Sequence, residues 1–294
     1  MSQIDRGKRQ GIVYTAVAFF AWGLLPIYWK ALDAVPALEI LAHRIIWSFV
    51  LTVCVLLVQG KSDALRLLSK KDNRRSLLLT SGLIGTNWFI YIYAVNSDRI
   101  VEASLGYYSN PLLSVMLGIL VLKERLNLMQ VIAFLLACSG VIYLTVDYGR
   151  FPWIAVVLAC AFALYGLLKK TTDIEPMDGL MVETMFLAPA ALAVILYQAA
   201  TQRGALLTLS PQVDLLLIFA GAVTTLPLYW FTRGARRIRL SSVGFLQYIA
   251  PTLMLFIGIF LYRESFTAAH FVSFGLVWAG LFLYTLSLMR GAKA

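Results

Sequence analysis

Of the chain's 294 residues, 60% are hydrophobic and only 14% are charged, whereas a soluble domain is about one quarter charged. With a mean hydropathy of +0.79, that composition is the composition of an integral membrane protein. The formal net charge of +10 does not call for nucleic acid, because the basic residues sit in short segments between apolar runs, where anionic lipid head groups meet them.

Taken in chain order, ten stretches approach the roughly 20 mostly apolar residues that a spanning helix needs. They are 10–30, 38–59, 77–96, 102–121, 128–147, 152–169, 179–200, 213–232, 241–261 and 267–289. The first is too long for a signal peptide and has no small-residue cleavage site behind it. The polar stretch GKSDALRLLSKKDNRRS (60–76) reads as a short surface helix or loop.

An even number of spans puts both termini on one side. With the N-terminus in the cytoplasm, the inner segments collect most of the 25 Lys and Arg. Only Lys30, Arg99, Arg150, Arg203 and Arg263 fall outside, and Arg44 falls within a span. That asymmetry follows the positive-inside rule.

Shifted by 140 residues, the chain meets itself. Tyr108, Pro111, Gly118, Glu124, Phe134 and Gly140 fall on Tyr248, Pro251, Gly258, Glu264, Phe274 and Gly280 without a gap. A weaker echo joins FFAWG (19–23) to FALYG (162–166). The expected fold is therefore all-α: ten transmembrane helices arranged as two five-helix repeats, 1–147 and 148–294. An odd number of spans per repeat inverts the second copy, an arrangement typical of secondary transporters.

The stretch GYYSNPLLSVMLGILVLKER (106–125) places Asn110-Pro111 inside an apolar run. Asn110 lies about 12 Å below Glu102 at 1.5 Å per residue, close to the middle of the hydrocarbon. Pro111 removes the donor that the Tyr107 carbonyl would use, and such a freed group is tolerated only within protein or beside a watery cavity. Pro251 repeats the feature, with Gln247 one turn earlier and Ala250 in place of the asparagine. Kinks are expected at Pro111 and Pro251. Asn87-Trp88 and Trp22 lie at similar depth. The expected solute-binding residues are thus Trp22, Asn87, Trp88, Tyr108, Asn110, Gln247 and Tyr248, with amides for polar groups and aromatics for an apolar body.

Arg44 and Glu183 are ionisable residues within spans, and His43 aligns with Glu183 in the repeat. All three are candidates for gating or coupling; snorkelling of Arg44 and Glu183 to nearby water is the plainer alternative. Glu124 and Glu264 read as caps or as ion-pair partners of Lys123, Arg125 and Arg263. Ser114-x-x-x-Gly118 and Gly82-x-x-Gly85 read as helix-contact surfaces.

The sequence has no G-x-x-x-x-G-K-[ST] run, no H-E-x-x-H and no G-x-S-x-G. Its two histidines and three cysteines lack metal spacing. An enzyme is not expected, nor a metal, a cofactor or ATP-driven pumping. The expected partners are a small-molecule substrate and membrane lipids, with no nucleic acid; monomer and homodimer both stay open.

HRIIWSF (43–49), NWFIYIYAVN (87–96), EASLGYYSNPL (102–112), VETMFLAP (182–189) and GFLQYIAPT (244–252) together resemble the RarD branch of the EamA-type family, in the drug/metabolite transporter superfamily. Arg44 matches the arginine that EamA-type domains often carry in their second span; Glu183-Thr184 departs from that pattern in the second half. The resemblance implies a bacterial inner-membrane permease that exports small organic metabolites or drugs. The rival reading is a membrane sensor or partner subunit that binds a small molecule without net transport.

Overall fold

The structure, a computed structural model, describes residues 3–60, 63–96, 100–149, 151–262 and 267–291. Among these residues there is no strand. Helix α1 (Gln3–Lys30) leads to α2 (Ala37–Gln59), which follows Pro36 and ends where Gly60 takes φ +62° and its N–H bonds the Leu57 carbonyl. Glycine adopts that left-handed cap without a Cβ penalty. A single turn, α3 (Ala64–Leu67), and the start of α4 (Lys71–Asn96) occupy the polar 60–76 segment. Helix α5 (Ile100–Leu120) runs through Pro111 without interruption. Helix α6 (Leu128–Tyr148) opens on a reciprocal cap between Asn127 and Gln130, which satisfies two orphan donors.

Helix α7 (Trp153–Thr171) is followed by α8 (Pro176–Ala200) and α9 (Pro211–Ala235). Both α8 and α9 start on proline, whose missing N–H would be unpaired there anyway. The ninth apolar stretch is broken. It forms α10 (Leu240–Gln247), α11 (Ile249–Phe256) and a π turn at Ile257–Leu261. Helix α12 (Ala268–Gly291) closes the described chain. Each of the ten stretches read from the sequence thus falls on helical structure. Seven helices, α1, α2, α6, α7, α8, α9 and α12, are long and apolar enough to cross a membrane. Arg263 and Glu264 lie outside the described residues.

The exterior is apolar. Val58 is 89% exposed, and Leu57, Phe260 and Phe271 are similarly bare. A water-soluble monomer rarely exposes so much contiguous apolar surface; hydrocarbon accepts it. Because lipid is as apolar as leucine, helices associate through close packing of small residues. The pairing of α6 with α12 shows this. A β-carbon on Gly140 would lie 2.7 Å from the Ser273 carbonyl oxygen, and one on Gly280 would lie 2.7 Å from the Ala133 carbonyl oxygen. Gly275, on the outer side of α12, has nothing within 4 Å.

Gly280→Leu is therefore expected to separate α6 from α12 and to destabilise the protein by about 1–3 kcal/mol, the usual cost of overpacking. Gly275→Leu should leave stability unchanged. Thermal unfolding of the two variants in detergent checks both, and equal midpoints would show that the pair does not depend on close approach.

Candidate functional site

A cavity of about 110 Å³ lies inside the bundle. Helix α1 contributes Trp22, Pro26 and Trp29; α2 contributes Arg44; α4 contributes Asn87, Trp88 and Tyr91. Tyr107 and Asn110 enter from α5, Leu158 and Phe162 from α7, Thr224 from α9, Gln247 from α10, and Ala250 and Pro251 from α11. Both halves of the chain therefore build one wall.

Five of the seven expected binding residues meet here: Trp22, Asn87, Trp88, Asn110 and Gln247. The other two do not. Tyr108 and Tyr248 are buried in a separate cluster with Ala137, Val141, Phe274 and Val277. Tyr108 packs edge-on against Phe274 at 4.6 Å, and the Tyr248 hydroxyl donates to the Tyr108 carbonyl at 3.3 Å. The cause is helical periodicity: neighbours in sequence diverge by about 100°, so positions three or four apart share a face. Tyr107 shares the face of Asn110, and Tyr91 shares that of Asn87. Trp29 lies two turns beyond Trp22, with Pro26 between them. These wall residues were legible from that spacing, although the depth of Asn110 alone did not reveal them. Pro251 is on the wall, and the α10–α11 break falls three residues before it. Pro111 is not on the wall; its carbonyl packs on Gly244, where a β-carbon would come within 2.6 Å.

The amides tie helices together at this level. Asn87 Nδ2 donates to the Leu158 carbonyl at 3.0 Å, joining α4 to α7. Ser114 Oγ donates to Gln247 Oε1 at 3.0 Å, joining α5 to α10. Asn110 Oδ1 is buried and has no hydrogen-bond partner among the described residues. A buried acceptor left unpaired costs about 1–3 kcal/mol, and this one belongs to a residue of the cavity wall.

Arg44 does not snorkel. Its guanidinium carbon lies 4.9 Å from the Trp29 ring centroid and 4.8 Å from that of Trp88. Nε donates to Thr224 Oγ1 at 3.0 Å. Glu183 does not reach water either. It is buried, with Lys169 Nζ 2.7 Å from Oε1 in an ion pair without hydrogen-bond alignment, and the Tyr165 hydroxyl donates to Oε2 at 3.3 Å. His43, one residue from Arg44, faces away from the cavity. Its Nε2 is 3.8 Å from Glu39 Oε1, and neither ring nitrogen is hydrogen-bonded among the described residues. Glu39 Oε1 instead accepts from the Ala205 N–H at 2.6 Å.

One end of the cavity is filled by aromatic rings. Phe19, Trp22, Phe162 and Phe231 stand with centroids between 5.3 and 5.8 Å apart. Beyond them lies the basic end of the bundle, which carries Lys123, Lys170 and Arg236. There Glu124 caps α10. Its Oε1 accepts from the Leu240 N–H at 2.7 Å, and Oε2 accepts from the Ser241 N–H at 3.0 Å and Ser241 Oγ at 2.6 Å. Glu124 thus caps a helix of the other half, with Arg239 Nε at 3.8 Å, instead of pairing with Lys123 or Arg125. Its charge also complements the positive end of the α10 dipole. Lys170 Nζ donates to the Ala235 and Ile238 carbonyls, and Arg236 pairs with Asp173.

No group of metal-ligating side chains occurs among the described residues. The cavity offers binding chemistry: one cation, amides, phenols and aromatic faces.

The comparisons with known proteins agree with a carrier of solutes. The model of the EamA-like transporter family matches twice, at residues 9–146 and 151–286. An uncharacterized transporter of Bacillus subtilis, YojE, is 48% identical over 97% of each chain. Protein RarD of Escherichia coli is 41% identical over 95% of this chain and 94% of its own. A solved crystal structure shares the fold with a TM-score of 0.71 at 20% identity, covering 94% of this chain and 97% of that one. The chain belongs to the EamA-like transporter family, a membrane transporter of the drug/metabolite superfamily.

Proposed function

We propose that this protein carries small organic metabolites or drugs across the bacterial inner membrane by alternating access, as a secondary transporter working in the direction of export. The observation that carries the reading is the cavity built jointly by both halves, with aromatic walls and the unpaired Asn110 oxygen. In the proposed mechanism, residues 1–147 and 148–294 are inverted repeats that rock about this site. Two findings support that symmetry. The family model matches the chain twice. The α6–α12 contacts are also reciprocal under the 140-residue shift: Gly140 meets Ser273, and Gly280 meets Ala133.

The termini are proposed to be cytoplasmic, with the basic end facing in. The aromatic plug and the Glu124 cap then close the inner side, and the cavity belongs to the outer half. Asn87, Asn110 and Gln247 orient the solute's polar groups, while Trp22 and Trp88 cover its apolar part. Glu183 with Lys169 sits at the inner gate. His43 with Glu39 sits at the outer one.

Orientation is checked by thiol labelling in a variant lacking Cys54, Cys138 and Cys160. Ser69→Cys should react with an impermeant reagent only from the cytoplasmic side, and Leu207→Cys only from outside; the reverse pattern would invert the assignment. Counterflow in proteoliposomes, loaded with a panel of amino acids, nucleosides and amphiphilic drugs, tests carriage. Asn110→Ala and Asn87→Ala are expected to lower counterflow at least about tenfold, the loss of one to two well-placed hydrogen bonds. Wild-type rates in both would move the site elsewhere, and binding without flux would favour a sensor. Glu124→Ala should loosen the inner closure. Val243, which is fully buried, should then label faster from the cytoplasmic side when tested as Val243→Cys; an unchanged labelling rate would show that the cap does not hold the gate.

A further inference from the structure

Among the described residues no carboxylate compensates the cation in the cavity. Arg44 has five N–H donors. Among the described residues, only Nε has a hydrogen-bond partner, Thr224 Oγ1, and no carboxylate lies within 4.0 Å of the guanidinium. The indoles of Trp29 and Trp88 bracket its carbon. They stabilise a cation through their ring quadrupoles, but they accept no conventional hydrogen bond and neutralise no charge. Other buried charges in the bundle have partners: Lys169 has Glu183, and Glu124 has the α10 N-terminus. Arg44 has none of this kind among the described residues, and it stands on the cavity wall.

We infer that the solute of this site is a small organic monocarboxylate, held by Nη1 and Nη2 of Arg44, with an apolar body and a hydrogen-bond donor near its acid group. The inference rests on the transporter reading of the cavity and names the class of its substrate. The terminal guanidinium nitrogens form a planar fork that matches a carboxylate in bidentate fashion. The phenols of Tyr91 and Tyr107, on the same wall with ring centroids 5.7 Å apart, add two donors for the same oxyanion. Asn110, one turn beyond Tyr107 on α5, presents its unpaired Oδ1 to an O–H or N–H of the solute. Trp22 and Phe162, 5.6 Å apart and edge-on, offer the apolar body a wall. Arg44 supplies the only formal charge in the described lining. A monoanion balances it, whereas a phosphate dianion would bring in a second, unmatched charge.

The test uses the purified full-length protein and matched probes: 2-hydroxyisocaproate and 3-phenyllactate, their neutral primary amides, and phenyl phosphate. Binding is read by thermal stabilisation and by the fluorescence of the indoles beside Arg44. The carboxylates should bind at least about tenfold more tightly than their amides, the contribution of a charge-assisted hydrogen bond over a neutral one. Arg44→Gln should abolish that preference, and Arg44→Lys should keep it in weakened form. Amides that bind as well as acids would overturn the inference. So would a preference that survives in Arg44→Gln, tighter binding of phenyl phosphate, or failure of either carboxylate to bind in the millimolar range. The comparison of acid with amide in the wild-type protein stands even if the Arg44 variants do not fold. Counterflow separates this inference from the transporter reading: flux of neutral or cationic solutes with inert acids sinks the anion site alone, and acid binding without any flux sinks transport alone.

Discussion

Hydrocarbon offers no hydrogen bonds, and the placement of nearly every polar side chain in this bundle follows from that constraint. The small hydroxyls solve it locally. Thr52, Ser81, Thr184 and Thr232 each donate to the carbonyl four residues back on their own helix. The longer groups solve it across helices: Asn87 on Leu158, Ser114 on Gln247, Lys169 on Glu183, and Glu124 on the first turn of α10. Among the described residues some buried polar atoms remain without a protein partner, Thr15 Oγ1, Tyr108 OH and Ser273 Oγ among them. Asn110 Oδ1 differs in standing on the cavity wall, as Arg44 does, and His43 with Glu39 lies toward the end of the bundle remote from the basic residues.

The backbone obeys the same rule. Proline at position 251 deprives the Gln247 carbonyl of its helical donor, and the helix breaks at Tyr248 between α10 and α11. The break adjoins a wall that also holds Pro26 of α1. Irregular backbone at this depth is tolerated because it borders a cavity and packed protein, not lipid. Gln247 faces the cavity and Tyr248 faces away from it, as successive residues of a helix do, and the break between α10 and α11 falls beside that wall.

The architecture was legible in the sequence because its signals are long. Ten apolar runs, bounded by Pro36, Gly60, Asn127, Gly149 and Ser210, end where caps and breakers end helices. The site was legible only in part, for an instructive reason. Residues repeated at the 140-residue shift are the easiest to see, and Tyr108 and Tyr248 are among them. Many repeated residues report packing: Tyr108, Tyr248, Phe274, Gly140 and Gly280 all belong to the contacts that join α5, α6, α10 and α12. The cavity wall holds repeated residues such as Phe19, Phe162 and Pro251, but its polar groups stand where the halves differ, with Asn110 against Ala250 and Arg44 against Thr184. A solute is not two-fold symmetric, so the groups that read it have no reason to be. Trp29, Tyr91 and Thr224 escaped notice because single aromatics and hydroxyls in a span usually serve packing, and only three-dimensional convergence on Arg44 distinguishes them.

An uncompensated arginine also bears on how such a carrier cycles. While the cavity keeps contact with water, solvent and mobile anions screen the guanidinium. Closing the cavity around an empty site would remove that screening and leave a bare charge inside the bundle, at a cost of about 2.5–3.5 kcal/mol on insertion scales and more in a dry cavity. A carboxylate on Arg44 cancels most of that penalty. Occlusion is then far easier loaded than empty, by a factor of roughly a hundred for each 2.7 kcal/mol recovered. If the solute supplies the missing charge, the same interaction that selects it also licenses the conformational change, and exchange of one anion for another is the natural mode of transport. A separate coupling ion would be required only for net flux, when the carrier must return empty. His43 and Glu39 lie buried with unmet polar atoms, off the cavity wall that Arg44 shares with Asn110.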